Sequence, residues 1–278
     1  MAVITVVGTK GGTGKSTTAM GTAIWMSRLI DEWILLIDGD IHVRTVGLKM
    51  CPMTDVTLNE VMEGKAQVED AIYLCQLESN GKPLYNNLAI LPAGGRFLPS
   101  MRGNPIEFIE YTKRKFDQMM KKLKKNFSYI VVDTPASMSF EHLILTAIAD
   151  GIVYVVEPNE DSITSTLQTA RGLKEFMEAE PIGTVINRMP PYRSYQDWVK
   201  RAGEIAPVLG TVPEDDAVDK AFTADLPVVA AYPKSPASLA LRDIASRLLD
   251  MHIAPSKSVA RKIRTAITRS TKRIPRKS

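Results

Sequence analysis

The chain has 278 residues, 45% of them hydrophobic and 24% charged, with two cysteines and a net charge of +4. That length can bury one large core, while no apolar run approaches the ~20 residues of a membrane span and two cysteines are too few for a disulfide-stapled scaffold. The N-terminus enters a β-type run with no signal-peptide pattern, so a reducing, cytoplasmic setting is expected.

The charge is uneven. Residues 256–278 carry nine Lys/Arg and no acidic residue, leaving 26 basic and 31 acidic residues in 1–255, a net of −5. A mildly acidic body with a strongly basic tail predicts an anionic partner for the tail.

In chain order, the apolar run Val3–Val7 reads as a strand and leads into Gly8-Thr9-Lys10-Gly11-Gly12-Thr13-Gly14-Lys15-Ser16-Thr17. An apolar helical pattern follows, from Ala19 to Leu29. Strand, glycine loop and helix form the setting of a phosphate-binding loop, with backbone N–H groups converging on an anion. Lys15 is placed to reach the β/γ-phosphates and the Ser16 hydroxyl to hold Mg²⁺. Thr9 departs from the general pattern, which has glycine there.

Trp33–Ile37 reads as a buried parallel strand ending in Asp38-Gly39-Asp40. Carboxylates at a strand's C-terminal end beside such a loop lie where ligands bind in open α/β sheets. His42 and Arg44 follow as loop residues. Thr57-Leu-Asn-Glu60 matches a capping box, and a second short helix is expected from Val68 to Leu74. Ser79–Asn87 reads as a loop, Leu88–Leu91 as a strand closed by a Pro92–Gly95 turn. Pro105–Lys125 reads as a helix whose lysines form a solvated face opposite an apolar stripe containing Phe116, Met119, Met120 and Leu123.

Phe127–Asp133 is a further apolar strand ending in a carboxylate, the arrangement in which Asp133 acts on Mg²⁺. Strand Gly151–Glu157 precedes a helix that Asp161 or Ser162 is expected to cap, running to about Ala179. Pro181–Ile186 is a strand ending in Asn187-Arg188. Leu209–Pro213 closes the sheet, and 214–222 and 236–250 are the final helices. Alternating strands and helices predict a doubly wound, mostly parallel α/β sheet with helices on both faces. Cys51 and Cys75 lack metal-ligand spacing and read as free thiols.

Lys10-Gly-Gly-Thr-Gly-Lys15-Ser16 resembles the deviant Walker A motif, K-G-G-x-G-K-[ST], of the MinD/ParA ATPases. Asp38-Gly-Asp40 resembles their switch I, and Asp133-Thr-Pro-Ala-Ser137 their D-x-P-A-G switch II, with Ser137 in place of glycine. Leu91-Pro-Ala-Gly94 and the Pro227-Val-Val…Ser235-Pro-Ala-Ser238 run extend the similarity over nearly all of 1–255. The resemblance implies a P-loop ATPase that uses ATP and Mg²⁺ and dimerises with ATP bound. It implies that Gly11, Gly12, Thr13, Gly14, Lys15, Ser16 and Thr17 hold the phosphates. Lys10 would reach the partner subunit's phosphates, Asp40 would orient the attacking water, and Ser16, Asp38 and Asp133 would serve Mg²⁺. Asn187, Arg188 and Pro213 would surround the adenine.

The tail places Val259, Ile263, Ala266, Ile267, Ser270 and Ile274 on one helical face, with basic residues mainly elsewhere. Its apolar face is thin, so strong contact requires two tails joined by dimerisation. An anionic membrane surface, at the inner face of the membrane, leads as the partner; a ParA-like nonspecific contact with DNA is the alternative. A metallocluster-assembly carrier on the same fold ranks below both, because paired cysteines are missing. The implied function is a spatial-organisation switch that takes a protein activator.

Overall fold

The computed structural model describes residues 1–40, 45–79, 82–94, 105–135, 140–177, 179–191 and 195–255. In chain order, β1 (Ala2–Val7), α1 (Lys15–Leu29), β2 (Ile34–Asp38), α2 (Thr45–Met50) and α3 (Leu58–Met62) come first. A single 3₁₀ turn at Val68–Ala71 precedes β3 (Tyr73–Leu74), β4 (Glu78–Ser79), β5 (Lys82–Pro83) and β6 (Leu88–Leu91). Next are α4 (Pro105–Asn126), β7 (Tyr129–Asp133), α5 (Phe140–Ala147), β8 (Gly151–Val156), α6 (Glu160–Met177) and β9 (Pro181–Met189). The chain continues through α7 (Tyr195–Ala202), β10 (Val208–Pro213), α8 (Asp216–Thr223), α9 (Val228–Ala231) and α10 (Pro236–Asp250).

The main sheet has eight strands in the order β10-β9-β8-β1-β7-β2-β6-β3. Its strands pair in parallel except the edge strand β3, which runs antiparallel to β6. This is the expected doubly wound architecture. Its strands are apolar on both faces because each face is covered. Val3, Val7, Leu35, Ile37, Ile130 and Val132 face a core with α3 to α7. Ile4, Val6, Ile34, Leu36 and Val131 face a second core with α1, α2 and α8 to α10. After β1 the chain builds one half of the sheet, returns at β7, and then builds the other half from β8. Such a reversal leaves a crevice at the strand C-termini.

The structure corrects several local expectations. The helix expected over Val68–Leu74 stops at Ala71, and Tyr73 and Leu74 pair with Ile90 and Ala89 instead. A free β6 edge competes successfully with a weak local helical pattern. The cap of α6 is Asn159, whose Oδ1 accepts from Ser162 N–H at 2.8 Å, rather than Asp161 or Ser162. Part of the expected loop 79–87 forms the small β4–β5 hairpin. Helices α2, α5, α7 and α9 are short or lack a clear cap signal in the sequence.

Elsewhere local chemistry prevails. The capping box at Thr57–Glu60 is formed. The lysine-rich α4 buries Phe116, Met119, Met120 and Leu123, while Lys122 pairs with Glu69 and Lys124 with Asp150. Cys51 and Cys75 are free and buried, and burial pushes both thiols up to about 11. Among the described residues no helix is long and apolar enough to cross a membrane.

Candidate functional site

The site forms where β1, β2 and β7 end along one edge of the sheet. Beyond Val7 the chain turns through the glycine loop into α1. Gly12 and Gly14 hold φ of 78° and 91°, a left-handed region that side chains disfavour. At Gly14 the space is also closed, since a Cβ there would lie 2.1 Å from Asn187 Nδ2. Asn187, near the end of β9, donates that Nδ2–H to the Thr13 carbonyl at 2.9 Å. On the other side, the Thr9 hydroxyl meets Ser165 Oγ at 2.9 Å and Thr166 Oγ1 at 3.2 Å on α6. Thr9, the off-pattern residue, therefore anchors the loop to a helix.

Lys15 opens α1 and is buried. Its ammonium donates to the Lys10 carbonyl at 3.0 Å. Burial pushes its pKa down, and the carboxylates of Asp133 and Asp40 act in the opposite direction. An entering anion offers this cation a stronger acceptor than a neutral carbonyl. The Lys10 side chain stands apart, half exposed, with its ammonium 3.9 Å from Asp161 Oδ2.

Asp38 and Asp133 are register partners on neighbouring strands, and both are fully buried. Asp38 accepts from Asp40 N–H at 3.1 Å and from Gly47 N–H at 3.0 Å. Neither carboxylate oxygen of Asp133 has a hydrogen-bond partner of standard geometry. Burial, then the negative charge of Asp38, raises the Asp133 carboxyl to about 7, with the nearby Ser16 hydroxyl and Lys15 drawing it partly back. Two buried carboxylates side by side, one with both oxygens unpaired, suit a divalent cation. Among the described residues no group of three or more His, Cys, Asp or Glu side chains is arranged to hold a metal by itself. Mg²⁺ is held by one or two carboxylates and completed by water and phosphate oxygens. Ser16, Asp38 and Asp133 thus fit the expected ion.

In front of the loop lies a pocket of about 470 Å³. Gly11, Gly12, Gly14, Lys15, Ser16 and Thr17 line it, together with Asp40 and Arg188. Val218, Phe222, Leu226 and Val228 add an apolar part to its lining. Thr13 and Asn187 are buried and support the loop, and neither lines this pocket. Arg188 has φ of 54° and pairs with Glu157 at 3.2 Å. Pro213, the register partner of Met189, ends β10 and is not on the pocket wall either.

His42, Arg44, Ser137 and the 256–278 tail lie outside the described residues. Sequence reasoning missed Lys49, Val218 and Phe222. They carry no motif, and only the fold brings them to the pocket, where the Lys49 ammonium reaches the Phe222 carbonyl and ring.

Residues 1–181 match the model of a family described as an AAA domain. An uncharacterised ATP-binding protein of Methanocaldococcus jannaschii is 32% identical over 249 residues, covering 88% of this chain and 87% of its own. The solved cell division ATPase MinD of Pyrococcus furiosus has a TM-score of 0.73 and 26% identity, covering 90% of this chain and 99% of its own. The septum site-determining protein MinD of Pyrococcus horikoshii, complexed with Mg-ADP, has a TM-score of 0.71 and 25% identity, covering 89% and 95%. This chain belongs to the AAA-domain family matched over residues 1–181 and is an ATPase of the MinD/ParA group.

Proposed function

We propose that the chain is a Mg²⁺-dependent ATPase that works as a positioning switch, dimerising on ATP and binding an anionic surface through residues 256–278. The observation that carries this reading is the pairing of a buried Lys15 with a second loop lysine, Lys10, that the loop leaves half exposed. One subunit uses Lys15 for its own phosphates and has no structural use for Lys10 beyond a weak surface pair. A subunit facing it supplies the phosphates that Lys10 would contact.

In this reading ATP phosphates lie on Gly11–Thr17. Mg²⁺ would be held by Ser16 with Asp38 and Asp133 behind it, and would neutralise charge on the phosphate oxygens. Asp40, which lines the pocket, orients the attacking water. Asn187 and Arg188 meet the adenine, with Pro213 beside them, once nucleotide draws the Asn187 amide from Thr13. The Mg-ADP complex of the Pyrococcus horikoshii relative supports the choice of ligands. Residues 1–255 act as the ATPase body, and a protein activator stimulates hydrolysis. The tail touches the inner face of the membrane; DNA is the second surface, supported by the same nine basic residues.

Sedimentation with anionic liposomes and with duplex DNA, with and without ATP, tests this for the full chain and for 1–255. ATP-dependent pelleting with liposomes that needs the tail is expected. Equal pelleting of both forms overturns the role of the tail, and pelleting with DNA alone moves the reading to the DNA alternative.

A further inference from the structure

Lys49 is a lysine with little access to water, and the phosphate loop does not explain it. Its side chain is only 6% exposed, yet it stands on α2 rather than in the motif. The ammonium donates to the Phe222 carbonyl at 3.1 Å, lies 3.5 Å from Asp225 Oδ1, and sits 4.4 Å from the centroid of the Phe222 ring. Phe222 is in the last turn of α8, where a cation is favoured, and its carbonyl accepts from Asp225 N–H at 3.1 Å as well as from Lys49. Asp225 is 91% exposed and contributes little as an ion pair. It holds φ of 54°, which fixes the turn that follows α8. The Lys49 ammonium therefore clamps this corner from another element.

The clamped corner is a wall of the pocket. Phe222 is 66% exposed, and Val218, Leu226 and Val228 continue the wall from it. A large aromatic ring left exposed in the lining of a pocket that an anion-binding loop also lines suits a flat aromatic group attached to the anion. We propose that Lys49 is a positioning residue that holds Phe222 as a stacking platform for the nucleotide base. This rests on the ATP reading above. It also joins the two ends of the site, because Gly47, two residues before Lys49 on α2, donates to Asp38.

The test compares binding of Mg-ATP with Mg-tripolyphosphate, which offers the phosphates without a base, by calorimetry on the full chain. Lys49→Met is expected to weaken ATP by up to about tenfold, no more than loss of the ring itself, since Lys49 acts only through Phe222. Phe222→Ala is expected to weaken it about tenfold through lost stacking. Tripolyphosphate should bind both variants as it binds the original chain, and Lys49→Arg should recover most of the ATP affinity. Phe222→Ala alters an exposed side chain and decides the matter if Lys49→Met does not fold. Unchanged ATP affinity in Phe222→Ala overturns the proposal, as does a parallel loss of tripolyphosphate in either variant. An original chain that binds neither ligand overturns the ATP reading itself; one that binds both, with variants that do not discriminate, overturns only the platform.

Discussion

Replacing Asp133 by asparagine removes a negative charge held at the end of β7 with no hydrogen-bond partner of standard geometry. In the absence of Mg²⁺ and nucleotide that charge works against folding. Its carboxyl rises from an ordinary 3.8 to about 7, which at 1.36 kcal/mol per pH unit corresponds to about 4 kcal/mol between the two protonation states. The sign follows from proton counting. Between about pH 4 and 7 the folded chain keeps a proton that the unfolded chain has lost, so stability falls as pH rises, then levels above 7. Asparagine escapes that fall but leaves its own amide unpaired, a cost of about 1–3 kcal/mol. The net expectation is that Asp133→Asn is about 1–3 kcal/mol more stable than the original chain at pH 8. At pH 5 it is equal or slightly weaker. Urea unfolding at the two pH values, without Mg²⁺, measures this. ATP hydrolysis by the same variant should be lost, since the carboxylate that suits the cation is gone. A variant less stable than the original at pH 8, or a difference independent of pH, refutes the reasoning.

Two further substitutions probe the loop. Gly14→Ala meets both a left-handed backbone and the Asn187 amide 2.1 Å away, so it should cost about 2–4 kcal/mol, the sum of a strained backbone and a close contact. Gly12→Ala has a similar φ and open space and should cost only about 1 kcal/mol. Thermal unfolding should rank them in that order, and Asn187→Ala should relieve part of the Gly14→Ala cost. Lys10→Ala should keep ATP binding and lose dimer-coupled hydrolysis. Equal loss of binding and of hydrolysis counts against action across the dimer.

The sequence by itself determined the parts of this protein whose physics is local. Apolar strand runs bounded by turn residues, the glycine loop before a helix, the Thr57–Glu60 capping box and a strand-ending aspartate at Asp38 and again at Asp133 all declare themselves within a few residues. The mostly parallel sheet follows from their alternation, since parallel strands need crossovers. Tertiary structure alone decided what depends on partners far apart in the chain. Tyr73 and Leu74 became a strand because β6 offered an open edge. Thr9 became an anchor because α6 presents two hydroxyls 156 and 157 residues away. Asn187 met the glycine loop through a hydrogen bond from its side-chain amide to the Thr13 carbonyl, 174 residues away, that no spacing announces. Lys49 became part of the pocket because its ammonium finds the Phe222 carbonyl, 173 residues later in the chain. Periodicity and motifs record which face a residue presents to its own element, and only folding decides which distant group meets it there.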